Sequence, residues 1–88
     1  MSADDTINHL LEELSAAKDW PKRFQKKSGD GFDVSHEVRE ADKKIQALEK
    51  LAQEAMKRLG CNRPETRSIY QGMADMLISW HTFKDRIQ

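Results

Sequence analysis

The chain has 88 residues, enough for one small domain, and 15 Lys plus Arg balance 15 Asp plus Glu to a net charge of zero. That balance argues against a polyanion such as duplex DNA as the main partner. A single cysteine, Cys61, excludes an intramolecular disulfide framework and fits a reducing, cytoplasmic setting. The start, MSADDTINHL, is acidic and has no apolar h-region, so it does not read as a secretory signal. No apolar run is long enough to span a membrane.

The first segment opens with Ser2 and, three residues later, Asp5, an arrangement similar to a capping box. Asp4 and Asp5 suit the positive end of a helix dipole. Ile7, Leu10, Leu11, Leu14 and Ala17 then form one apolar stripe, which predicts a helix over about 4–18. A helix this short depends on docking that stripe.

Residues 20–34 follow as a basic, glycine-containing connector. WPKRFQKK places Lys22, Arg23, Lys26 and Lys27 within six residues, with Trp20 and Phe24 one turn apart. Such a cluster can hold a phosphate and stack a base. The same residues can instead close the end of a bundle, the two rings inward and the cations in solvent. Asp19 and Pro21 would then begin a short helix.

Val38, Ala41, Ile45, Leu48, Ala52, Ala55 and Leu59 are spaced 3, 4, 3, 4, 3, 4, the seam of a coiled-coil-like helix over about 35–59. Asp33 or Ser35 can cap it, and Gly60 ends it. CNRPETR makes a corner, with Asn62 as a cap and Pro64 in the next first turn. Ile69, Met73, Met76, Trp80, Phe83 and Ile87 form a second seam, over about 63–87. Facing the two antiparallel gives pairs such as Met73 with Ala52 and Trp80 with Ile45, whose numbers always add to 124 or 125. Large residues of one helix meet alanines of the other, so the layers interdigitate.

The sequence therefore predicts an all-α domain: a long antiparallel hairpin plus a shorter N-terminal helix, as a three-helix bundle or a hairpin-based oligomer. An apolar row on the last helix (Tyr70, Ala74, Leu77, Ile78, continued by His81) is left over by the hairpin. The N-terminal helix or a second copy is expected to cover it, and a homodimer is the expected oligomer. Gly72 and Ser79 lie on the opposite flank, where Gly72 either is tolerated in solvent or admits a close neighbour.

Signals for chemistry are weak. GDG is too short for a phosphate loop, and there is no H-E-x-x-H pair. His9 with Glu12 or Glu13, and His81 with Asp85, have helical spacing but lack the three or four converging ligands of a metal site. Cys61 beside Arg63 has no oriented base or pocket in evidence. Met73, Met76 and Trp80 at heptad spacing read as core. The expectation is no enzyme activity, no cofactor and no metal.

The stretch GCNRPETRSIYQGMADMLISW, residues 60–80, resembles the helical-hairpin domain of phage anti-defence proteins that sequester cyclic nucleotide signals. The shared features are Pro64, Arg67 and Trp80. The resemblance implies an oligomer binding an anionic cyclic nucleotide at subunit junctions.

Three functions follow as expectations. The first is a non-catalytic protein-binding module, a small inhibitor or adaptor of the kind a phage or mobile element encodes, acting on a host protein. The second is an oligomer sequestering a small anionic ligand, and the third a nucleic-acid-binding accessory protein. The candidate contact residues are Trp20, Lys22, Arg23, Phe24, Lys26 and Lys27, joined by Arg63 and Arg67. Ala52→Glu is expected to disrupt the hairpin core and lower the melting temperature; an unchanged melting temperature contradicts the register.

Overall fold

A computed structural model describes residues 3–87; Ser2 of the proposed capping box lies outside them, as do the side chains of Asp4 and Ile87. The chain is all-α: α1 (Ala3–Lys18), α2 (Trp20–Gly29), α3 (Ser35–Leu59) and α4 (Pro64–Ile87). None of these helices is long and apolar enough to cross a membrane.

The first two helices are one bent limb. Asp19 between them keeps a helical backbone (φ −89°, ψ −7°), and its N–H donates to Ala16 O at 3.1 Å. The bend falls where Pro21 removes an N–H and its ring crowds the preceding turn. Pro21 is itself buried, so the bend faces the core. The combined limb of residues 3–29 is about 40 Å long at 1.5 Å per residue, a match for the lengths of α3 and α4. The result is an up–down–up three-helix bundle.

Of the two readings of 20–34, the structure has the short bundle-closing helix that begins at Asp19 and Pro21 rather than a connector throughout. Only 30–34 is non-helical. Pro is accommodated in a first turn, and Lys, Arg and Gln are good helix formers, so nothing at Trp20 stops the helix. The stop comes at Gly29–Gly31. There Gly31 takes φ +94°, and the N–H of Asp30 donates to Lys26 O at 3.0 Å.

The hairpin of α3 and α4 forms as its seams predict. Ala41, Ile45, Leu48 and Ala52 are buried against Ile69, Met73, Met76, Trp80 and Phe83. Hydrogen bonds from Trp80 and Lys84 to Asp42 give residue sums of 122 and 126, which bracket the expected register. At the corner Gly60 takes φ +84°, a conformation that L side chains rarely adopt. Its N–H donates to Met56 O at 3.0 Å, and Thr66 Oγ1 donates to Gly60 O at 2.6 Å. At the other end, the Asp33 carboxylate accepts the Ser35 N–H at 2.9 Å, an Asx turn just ahead of α3, whose N-cap position is Val34.

The first limb docks elsewhere than on the leftover row. Ile7, Leu10, Leu14 and Ala17 are buried, but α1 lies on the Gly72–Ser79 flank and runs parallel to α4. A Cβ built on Gly72 would lie 3.3 Å from Leu14 Cδ1 and 3.5 Å from Leu14 Cβ. The missing side chain is what lets α1 approach. One turn further along α1, Ser79 Oγ donates to Lys18 O at 2.9 Å, satisfying a carbonyl that the bend leaves open. Of the leftover row, Leu77 packs partly buried against the core and Ala74 is half-buried, while Tyr70 and Ile78 stay 60% and 67% exposed.

Filling the Gly72 site should therefore push α1 away. Gly72→Leu is expected to destabilise the fold by about 1–3 kcal/mol through overpacking against buried Leu14, despite the better helix propensity of Leu. Thermal or urea unfolding measures it. An increase in stability would mean that α1 does not seat on this residue.

Candidate functional site

The candidate residues fall into two groups. Trp20 and Phe24 are half-buried on α2, at the end of the bundle where α2 meets the last turns of α4. The Phe24 ring lies edge-on to Trp80 (centroids 6.1 Å, 68°) and 6.0 Å from Phe83, and Trp80 and Phe83 are 5.5 Å apart. This is aromatic packing of the favoured offset kind, and it closes the core. The Phe24 ring is engaged by the bundle, and Trp20 is partly buried against the core.

Their neighbours Lys22, Arg23, Lys26 and Lys27 are all exposed. Lys27 Nζ pairs with Glu37 Oε2 at 3.1 Å, which ties α2 to the first turn of α3. Both side chains are about half exposed, so this pair adds well under 1 kcal/mol. Arg23 and Lys27 border a shallow cleft with Trp20 and Phe24 on the α2 side and His36, Glu37, Glu40 and Lys44 on the α3 side, a mixed-charge surface with an aromatic floor. Lys22, Arg23 and Lys26 form no ion pair among the described residues.

The turn after α2 adds a residue that sequence reasoning missed. Phe32 is 67% exposed, although its backbone is fixed: its N–H donates to Lys27 O at 3.0 Å. On its far side Asp33 is held in an Asx turn ahead of α3. The Ser35 backbone N–H and then the Ser35 hydroxyl hold the Asp33 carboxyl below the usual carboxylate range. The signal was present in the sequence as a lone aromatic in a GDGFD turn.

Arg63 and Arg67 do not join this group. They lie at the first turns of α4, and Arg67 and Phe83 are about 24 Å apart along the helix axis. There they line an open groove of about 980 Å³ between α1 and α4, with Lys18, Ser15, Ser68 and Asp75. Cys61 is free and exposed at the edge of the same groove. Of the helical His–acid pairs, His9 Nε2 lies 3.2 Å from Glu13 Oε1 in solvent. Among the described residues no three His, Cys, Asp or Glu side chains cluster as a metal site would require.

One polar centre went unread in the sequence. The buried Trp80 indole donates to Asp42 Oδ1 at 2.8 Å, Lys84 Nζ donates to the same oxygen at 3.1 Å, and Gln46 donates to Oδ2 at 3.1 Å. The Trp80 bond, with help from Lys84, outweighs desolvation and holds the Asp42 carboxyl below its ordinary value. The group serves packing: it satisfies the one polar atom of a fully buried indole.

No protein-family model matches the chain, and no curated protein or solved structure matches it significantly.

Asp42→Ala is expected to cost about 2 kcal/mol, the size of a hydrogen bond to a charged group together with an orphaned buried indole N–H. The sign with pH follows from the depressed pKa. Asp42 stabilises the fold above the ordinary carboxylate range, and that contribution is lost as pH falls through about 4 and below. Denaturant unfolding at neutral pH and near pH 3 checks both: the gap between wild type and Asp42→Ala should narrow in acid. A constant gap would show that the carboxylate charge has no part in it.

Proposed function

We propose that the chain is a non-catalytic protein-binding module, a small inhibitor or adaptor, that docks on an acidic partner surface through Phe32 and the basic face of α2. The observation that carries this is Phe32: a large ring in solvent, on a backbone already fixed by hydrogen bonds to the end of a basic helix. Aromatic and Arg side chains dominate binding energy at protein interfaces, and a fixed anchor loses little entropy on docking. Lys22, Arg23 and Lys26 would steer an acidic partner and set the docking register. The reading places the protein in the cytoplasm, where exposed Cys61 stays reduced.

The Phe24 ring, engaged by Trp80 and Phe83, supports this reading over a single-stranded nucleic-acid module, which needs free aromatic faces. A second reading rests on the α1–α4 groove, where Lys18, Arg63 and Arg67 gather in a space large enough for a cyclic nucleotide. Asp75 on the same wall opposes an anion. Calorimetric titration with cyclic mono- and dinucleotides tests it, and heat lost in Arg67→Ala would favour it.

For the main reading, the test is affinity capture from host lysate with quantitative mass spectrometry. Wild type is compared with Phe32→Ala and with Lys22→Glu/Arg23→Glu/Lys26→Glu, each checked for native helicity. A partner held by wild type should weaken by about 30-fold with Phe32→Ala, the effect of a 2 kcal/mol anchor. It should be lost with the triple variant. Partners retained equally by all three proteins would overturn the reading. Captured material that nuclease releases would favour nucleic acid instead.

A further inference from the structure

We infer that the uncovered face of α4 pairs with the same face of a second copy, antiparallel and about a two-fold axis. The inference does not depend on the Phe32 surface, which lies on a different element. With α1 seated at Gly72, this face has no partner within the described chain. Arg67, Tyr70, Ala74, Ile78, His81 and Asp85 follow one another at 3, 4, 4, 3 and 4, a straight stripe of mean spacing 3.6. Tyr70 and Ile78 are 60% and 67% exposed. Half-buried Ala74 sits between them, small enough to let a second helix approach.

The charges identify the occupant. The apolar stripe ends in Arg67, at the open rim of the α1–α4 groove, on one side and Asp85 on the other, both exposed. In a parallel pair Arg67 would face Arg67 and Asp85 would face Asp85. In an antiparallel pair Arg67 faces Asp85 of the second copy, twice by symmetry. That register adds to 152. It then sets Ala74 opposite Ile78, small against large, and Tyr70 opposite His81 at 151. The stripe is complementary to itself only in this orientation.

A second observation points the same way. Glu65 in the first turn of α4 and Lys84 and Arg86 in its last turn sit where the helix dipole favours them. Arg67 and Asp85 sit at the unfavourable ends of their own helix. An antiparallel neighbour brings each of them beside the opposite pole and the opposite charge. The pairing of one helix face with one other is a small interface, of the size that gives a weak, concentration-dependent dimer.

The test is sedimentation equilibrium of the full chain under reducing conditions, so that Cys61 cannot cross-link, up to about 1 mM, where even a weak dimer forms. Wild type should move from the 10.2 kDa monomer to twice that mass as concentration rises. Ile78→Glu, a substitution at an exposed position that is expected to leave the circular dichroism unchanged, should raise the dimer midpoint at least about tenfold. Arg67→Glu and Asp85→Arg should each raise it about fivefold, and the double reversal should restore it, because the pairs re-form with exchanged signs. A wild type monomeric throughout, a dimer indifferent to Ile78→Glu, or a double reversal as weak as the single ones would each overturn the pairing.

Discussion

The bundle is organised by one demand: a fully buried tryptophan must place its indole N–H against an acceptor. Trp80 meets that demand across the hairpin with Asp42, and its ring is at the same time packed by Phe24 from the first limb and Phe83 from its own helix. One side chain thus joins α2, α3 and α4. The charged acceptor fixes which turn of α3 faces Trp80, a constraint that apolar packing alone imposes loosely. Lys84 and Gln46 complete the satisfaction of the carboxylate, so the polar centre is stable at the edge of the core.

This arrangement decides which surfaces remain for contact. Phe24 packs on Trp80 and Phe83, while Lys22, Arg23, Lys26 and Lys27 are exposed on the outer side of α2. The turn that returns the chain to α3 then presents Phe32 beside that basic end. On the other flank, the close approach of α1 at Gly72 commits the first limb to one side of α4 and leaves the far side bare. Two of the exposed apolar features, Phe32 and the Tyr70–Ile78 stripe, are therefore consequences of the same packing choices, on separate parts of the molecule.

The sequence made the hairpin legible because its apolar spacing is a local property of each helix. The predicted 35–59 coincides with Ser35–Leu59, and 63–87 differs from Pro64–Ile87 by one residue. The side chosen by α1 was not legible. A reader follows the apolar row, whereas the close approach depends on a side chain that Gly72 lacks, which looks in a sequence like a helix defect. The helical character of 20–29 was legible only as one of two options, because Trp-Pro and the cationic run resemble turn punctuation but satisfy a helical first turn equally well. Asp42 was hidden among many surface acids. Its signal was the register itself: with sums near 124, a core Trp80 needs an acceptor within a turn of Ile45, and Asp42 is the acid there. Of the candidate site, the cationic group and the pair Arg63 and Arg67 could be listed from sequence, but their separation by most of a helix length depends on the fold.

The central claim, that the Trp80 indole is the buried polar anchor of the bundle, is tested most directly by hydrogen exchange of the indole Nε1–H of Trp80, followed by nitrogen-edited NMR at neutral pH. The account predicts a Trp80 indole proton that exchanges as slowly as the most protected backbone amides of α3 and α4, opening only with global unfolding. Exchange at the rate of a free, solvent-exposed indole would contradict it.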